Sequence, residues 1–396
     1  MLLALGLARR TGLVDRPSER KRHIGEIALS GGIGVYVTVL TVVIGTITFA
    51  NVPLPPFVIA ILVLSVPMLG IGVLDDFYDL DAEPRLIAQI LIALALATLF
   101  DVRLIWLGDV LGSGAVGFER ASSIAFTVFC VVGALNATNM MDGLNGLLAA
   151  LAAVSFAAIA LLAGDPATVV ICAAFVGALL TFLSFNLGWL GNSRRLFLGD
   201  SGSMMIGLAL ATLLVARSQD LDAAISPVAA GWLLGLPLLD AAIVMVRRLR
   251  QRRSPLAAGR DHLHHRLQNL GLTSGQTLAA MVGLQTLMVG IGLVAQFSGL
   301  PPWIFFYGFV ALAIAGYLFD FGLLPGEESF RTASLAPTTQ SPTYERPYAA
   351  SDADPASREP AARRIGASDA WAEPAAESDQ LRRERARSAA EATEAD

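Results

Sequence analysis

The sequence predicts an all-α, polytopic membrane bundle of about ten transmembrane helices with a disordered C-terminal tail. Three observations carry that prediction. Only 15% of the 396 residues are charged while 55% are hydrophobic, and the mean hydropathy is +0.62. Soluble domains carry roughly 25% charge, so this chain has too little charged surface to solvate a globule of its size. The apolar residues fall in runs close to the roughly 20 residues that a helix needs to cross a bilayer. Strands with open edges cannot cross lipid with unpaired backbone groups, which leaves helices.

In chain order the runs lie near 31–50, 56–74, 86–100, 123–138, 147–163, 167–187, 203–216, 228–246, 276–297 and 302–320. Three of them, 86–100, 123–138 and 203–216, are short. Met1–Ala8 is apolar but too short to span, and Arg9-Arg10 follows it; it reads as the stub of a further helix. Residues 1–325 form the predicted membrane domain. After about Phe321 the composition turns to Ala, Pro, Ser, Glu and Arg, so 326–396 is predicted to be a disordered cytoplasmic tail. Its deletion from residue 330 is expected to leave turnover intact.

Alternate loops differ in charge. The set 1–30, 75–85, 139–146, 188–202 and 247–275 holds Arg9, Arg10, Arg16, Arg20, Lys21, Arg22, Arg85, Arg194, Arg195 and the cluster from Arg247 to Arg266. The other set holds Arg103, Arg120 and Arg217. The positive-inside rule places the first set in the cytoplasm. The formal net charge of −5 belongs to the tail, where residues 321–396 hold 14 acids against 9 bases. No acidic or nucleic-acid partner follows from it. Cys130 and Cys172 sit inside apolar runs and read as packed hydrophobes.

Polar residues at membrane edges are costly and usually functional. Five clusters stand out, all in the cytoplasmic set of loops. The first is Asp15-Arg-Pro-Ser-Glu-Arg-Lys21-Arg-His23, followed by Ser30-Gly31-Gly32. Bases supply charge, and glycines let backbone approach an anion; the plain alternative is a basic anchor. The second is Asp75-Asp76-Phe-Tyr-Asp79. Adjacent carboxylates repel and favour a hard cation such as Mg²⁺, or a proton held by one of the pair. The third is Asn136-Ala-Thr-Asn139-Met-Met-Asp142-Gly143-Leu-Asn145-Gly146, with amides suited to sugar or phosphate. The fourth is Phe197-Leu-Gly199-Asp200-Ser-Gly202-Ser203 at the start of a run. It reads as metal or phosphate binding, or as a simple helix cap. The fifth is Arg260-Asp261-His262-Leu-His264-His265-Arg266, which gathers three of the four histidines. It offers cations to phosphates. A zinc site is the weaker reading, since no cysteine is near.

Acids for a metal and bases for phosphate are the means of phosphoryl transfer. In order and spacing, these clusters resemble the polyprenyl-phosphate N-acetylhexosamine-1-phosphate transferase superfamily over about residues 12–320. The first motif, with Ile225-Ser-Pro227, Pro237-Leu-Leu-Asp240 and Arg247-Arg248-Leu-Arg250, resembles its WecA-like branch. The resemblance implies transfer of an N-acetylaminosugar 1-phosphate, typically from UDP-N-acetylglucosamine, to undecaprenyl phosphate, with UMP released. It also implies Mg²⁺ or Mn²⁺ and an active site on the cytoplasmic face of the bacterial inner membrane. Asp75 and Asp76 match the acidic pair that meets lipid phosphate and metal, and Asp200 the metal-binding aspartate. Asn139 and Asp142 match the polar helix end near the diphosphate, and Asn136 is a further substrate-binding candidate. His262, His264, His265 and Arg266 match the nucleotide-sugar segment, and Lys21 and His23 are substrate-binding candidates. Relatives commonly carry aspartate where this chain has Asn145, so another UDP-N-acetylaminosugar remains an alternative donor. A homodimer is compatible with this reading.

Two rivals fit less well. Asp75-Asp76-x-x-Asp79 fits a prenyltransferase magnesium motif, but no second aspartate-rich motif faces it. A lipid-phosphate transporter is expected to carry charge near mid-bilayer, where these runs have almost none.

Overall fold

A computed structural model describes residues 1–15, 26–50, 53–219, 224–255, 259 and 261–322. The chain divides into Met1–Phe330 and Arg331–Asp396; the described residues all belong to the first, and the predicted tail, 326–396, lies outside them.

Each of the ten apolar runs is helical. Seven helices are long and apolar enough to cross a membrane: α2 (Gly31–Ala50), α3 (Pro56–Tyr78), α4 (Ala82–Leu99), α5 (Arg120–Met140), α7 (Pro166–Asn186), α8 (Gly199–Gln219) and α12 (Ser274–Phe297). The three short runs lengthen to 18 residues or more because their polar flanks continue the helix. α6 (Leu147–Leu162) and α13 (Pro302–Gly322) are apolar as well. At 16 residues, α6 is about 24 Å long, short of the hydrocarbon thickness.

The run at 228–246 corrects the expectation of one continuous helix. It breaks into α9 (Pro227–Leu233) and α10 (Gly235–Arg250), which meet at 79°. Gly235 and Pro237 sit at the break, and Pro237 has no N–H to continue the ladder. Polar side chains satisfy the opened backbone. Gln285 of α12 donates to the Leu233 carbonyl at 2.9 Å and accepts from the Leu236 N–H at 3.1 Å. Ser155 of α6 donates to the same carbonyl at 2.8 Å. Both side chains are buried, as backbone freed inside a bilayer requires.

Local signals set several helix starts. Asp165 and Ser226 accept from the Thr168 and Ala229 N–H groups ahead of prolines at 166 and 227. Thr273 and Gln276 form a capping box at α12. The apolar stub is α1 (Leu2–Thr11), whose Arg9 reaches the Ser193 carbonyl. Two small antiparallel hairpins add β1 (Val14–Asp15) with β2 (Ile27–Ala28), and β3 (Trp106–Gly108) with β4 (Val116–Gly117).

α8 is the axis of the bundle, with 89% of its apolar window buried. Its first turn lies backbone to backbone against α2 and α3. A Cβ at Gly72 would meet the Ser201 Cα at 2.1 Å, and one at Gly32 would meet the Gly202 Cα at 2.3 Å. Gly32 therefore corrects a sequence expectation: it serves close helix packing, with α8 where an anion was expected.

Candidate active site

The N-terminus of α8 carries Asp200, and the packing of Gly32 and Gly72 brings the ends of α2 and α3 to it. α5 reaches the same place from the other side, where Gly207 fits against Thr138 with no room for a Cβ. Sequence separations of more than a hundred residues therefore close to hydrogen-bond distances. Asp76 accepts from the Asp200 N–H at 3.0 Å. Asn139 donates to the Asp200 carboxylate at 2.6 Å and to the Ser203 hydroxyl at 2.9 Å. The expected convergence of segments 75–76, 139–142 and 200 is thus realised at one end of the bundle.

A cavity of ≈ 480 Å³ opens over this cluster, a size typical of small-molecule sites. Asp76, Asn139, Asp142, Gly143, Asn145, Gly199 and Asp200 line it. Asp142 keeps part of its surface open to the cavity. Burial of its carboxyl, then the charges of Asp200 and Asp76, holds it well above the usual carboxylate range. Gly199 adopts φ +75° and lies so close to Asp76 that a Cβ would meet its Oδ2 at 2.5 Å. Only glycine suits both the left-handed backbone and the contact.

Asp75 is placed differently. It is buried and absent from the cavity lining. Its Oδ2 pairs with Arg85 at 2.7 Å and its Oδ1 accepts from the Leu80 N–H at 2.9 Å. Asp79 is the exposed left-handed cap of α3, with φ 50°. The prenyltransferase-like spacing therefore does not gather three carboxylates. Among the described residues, no three Asp, Glu, His or Cys side chains form a ready-made metal cage. The residues do fit a shared Mg²⁺ or Mn²⁺. Mg²⁺ is commonly held by one or two carboxylates with substrate phosphates completing its shell, and the like charges of this cluster, which raise Asp142, are what a cation relieves.

Asn136 departs from its expected role. It does not line the cavity. It donates to Gln89 of α4 at 2.7 Å, and Gln89 contacts the Met204 sulfur at 3.3 Å. This amide pair ties α4, α5 and α8 together inside the membrane.

The histidine segment closes the site from the far end of the chain. It forms a short helix, α11 (Leu263–Asn269), with His262 as N-cap. His264 is fully buried against Gly143, where a Cβ would lie 2.5 Å from its Nε2. Burial and neighbouring His265 push its pKa down to about 3, so the ring stays neutral. Its ring stacks nearly parallel to that of His262 at 5.9 Å and lies 4.2 Å from that of His265. Arg266 directs its Nε at the Asp261 carbonyl. Lys21, His23 and Arg260 lie outside the described residues.

Several residues of the site were not singled out from sequence. Arg85 was read only as a topological charge. Asn186 lines the cavity and holds the Leu196 carbonyl at 2.8 Å. Its signal was an amide closing an apolar run. Asp15, at the cavity rim, belonged to the first motif.

Comparison with known proteins agrees with this geometry. The model of glycosyl transferase family 4 matches residues 58–218, which contain Asp75, Asp76, Asn139, Asp142 and Asp200. The undecaprenyl-phosphate alpha-N-acetylglucosaminyl 1-phosphate transferase of Escherichia coli strain K12 is 34% identical over 328 residues, 80% of this chain and 86% of that protein. The Haemophilus influenzae protein of the same name is 34% identical over 316 residues, 77% of this chain and 86% of its own length. The one from Yersinia pestis is 32% identical over 322 residues.

Proposed function

The chain belongs to glycosyl transferase family 4, and from that premise we propose that it transfers N-acetylglucosamine 1-phosphate from UDP-N-acetylglucosamine to undecaprenyl phosphate. The products are undecaprenyl-diphosphate-N-acetylglucosamine and UMP, a first membrane step in building a cell-envelope polysaccharide. The observation that carries the reading is the acidic cavity over the N-terminus of α8, floored by Asp76, Asp142 and Asp200 and bordered by the histidine segment. The positive loops and the membrane-spanning helices support a site on the cytoplasmic face of the bacterial inner membrane.

The reaction is a displacement at phosphorus. A phosphate oxygen of undecaprenyl phosphate forms a bond to the donor's β-phosphorus as the bond to the α-phosphate oxygen breaks and UMP departs. Asp200 and Asp76, with Asp75 behind them, would hold Mg²⁺ or Mn²⁺, which would neutralise the diphosphate charge. Asn139 fixes the Asp200 carboxylate and so its direction. Arg85 and the Leu80 N–H fix Asp75. Asp76 lines the cavity and Asp75 does not, which favours Asp76 over Asp75 as the carboxylate that meets the lipid phosphate. The histidine segment, whose His264 rests on Gly143 of the cavity lining, is the candidate for the nucleotide-sugar side.

The test is radiolabelled UDP-N-acetylglucosamine transfer into butanol-extractable lipid by membranes containing the protein, with stoichiometric UMP. UMP release without lipid acceptor would replace direct displacement with a two-step route. A panel of UDP-N-acetylaminosugars tests the donor, because Asn145 in the cavity lining presents an amide to it.

A further inference from the structure

We propose that Asp240 is a positioning residue for this reaction, acting through His262. Asp240 sits on α10, buried at 5% exposure. Its Oδ2 lies 2.7 Å from His262 Nδ1, and its Oδ1 accepts from the Leu263 N–H at 2.8 Å. Both oxygens are therefore committed to the first turn of the histidine segment. A carboxylate only accepts, so His262 Nδ1 carries the proton that the pair shares. The pairing fixes the tautomer and the plane of His262. It also sets the plane of His264, which stacks on that ring within 6° of parallel and rests on Gly143 at the cavity floor.

The backbone of the segment has other anchors. Arg248 holds the Asp261 carboxylate at 2.6 and 3.1 Å and the Pro255 carbonyl at 3.0 Å. Arg247 holds the Asp261 carbonyl at 3.0 Å. Two arginines thus clamp the loop, and Asp240 is spent on one ring and one N–H. A buried carboxylate is costly to keep for packing alone. Its use here is to orient the His262 ring and, through it, the His264 ring that rests on Gly143 of the cavity lining, as the acid does in acid–histidine pairs generally.

The inference rests on the transferase reading, and one experiment separates the two. Transfer from UDP-N-acetylglucosamine to undecaprenyl phosphate is measured in detergent for wild type, Asp240→Asn, His262→Gln and the double variant, alongside the melting temperature of each. Asp240→Asn keeps the shape but offers an amide donor to Nδ1, which reverses the tautomer. The expected result is a fall in kcat of about 100-fold with the melting temperature nearly unchanged, and a double variant no slower than His262→Gln. Loss of kcat only in proportion to loss of folded protein, or losses that multiply in the double variant, would overturn the proposal. If Asp240→Asn does not fold, the double variant decides, since its two amides can pair. Equal activity to His262→Gln supports the coupling, and a further tenfold loss sinks it. A wild type without transfer would instead sink the transferase reading.

Discussion

The acidic wall and the histidine segment meet at Gly143 but handle charge in opposite ways. Asp75, Asp76, Asp142 and Asp200 come from the ends of long, packed helices, and Arg85 is the one cation in hydrogen-bond contact with them among the contacts described. Their remaining partners are N–H groups and an amide. The histidine segment is a loop and a seven-residue helix, yet its acids are partnered: Asp261 with Arg248, and Asp240 with His262 Nδ1 and the Leu263 N–H. The wall is rigid and short of positive charge. The segment is locally weak in structure and electrically complete. The wall is built to receive a cation and phosphates, and the segment is built to hold rings in place.

The sharpest way to break the comparison is to remove charge from the wall. Asp200→Asn and Asp76→Asn should lower kcat by at least ~10³-fold, the scale of losing a principal electrostatic contact in phosphoryl transfer. The same variants should melt no lower than wild type, because each relieves like-charge crowding. A fall in both activity and melting temperature would mean that these acids hold the fold and not the substrate.

Gly143→Ala attacks the seam between the two regions. Its Cβ would arrive 2.5 Å from His264 Nε2, and that ring is fully buried with histidines on both sides. The segment must lift to admit it, so kcat/KM should fall by about 10–100-fold while the spans stay folded. Wild-type kinetics would show that the segment yields freely.

On the segment itself, Arg248→Leu leaves Asp261 without its bidentate partner. Arg248 is 1% exposed, and its carboxylate partner is held below the usual range despite burial, because Arg248 bonds and attracts it. Breaking such a pair typically costs about 3–5 kcal/mol. The cost should appear as faster tryptic cleavage near Arg252–Arg253 and a roughly tenfold loss of activity, without loss of the bundle.

How legible each region was follows the same division. The wall could be read from sequence because Asp75-Asp76, Asn139 and Asp142 close apolar runs and Asp200 opens one, and at such edges a carboxylate has few innocent reasons to sit. All ten runs were visible for the same reason. Composition could not show the break at Leu234, because Gln285 and Ser155 satisfy it from helices more than fifty residues away in sequence. Nor could it show that Asn136, one helical turn from Asn139, spends its amide on Gln89. On the segment the histidines were conspicuous, but their order depends on Asp240, an acid inside an apolar run whose partner lies 22 residues on. Pairings across helices are set by packing, and no local pattern records them.

The mildest perturbation is pH, which reaches the wall through the raised Asp142 carboxyl as well as the segment, so a non-titrating variant is needed to isolate the segment. His264 has a folded-state pKa of about 3 against an ordinary 6.5. Above pH 6.5 the ring is neutral whether docked or released, and docking is unaffected. Between 6.5 and 3 the released ring takes up a proton that the docked ring refuses, so docking weakens as pH falls, by at most about 1.4 kcal/mol per pH unit. His264 should therefore contribute a drop of a few degrees to the melting temperature of wild type in detergent between pH 7.5 and pH 5.5, opposed by the protonation of Asp142. In His264→Asn, whose side chain does not titrate, that drop should shrink by the share His264 carries. An unchanged slope would mean that the buried ring is released without cost, and that the segment's rigidity comes from its arginine clamps alone.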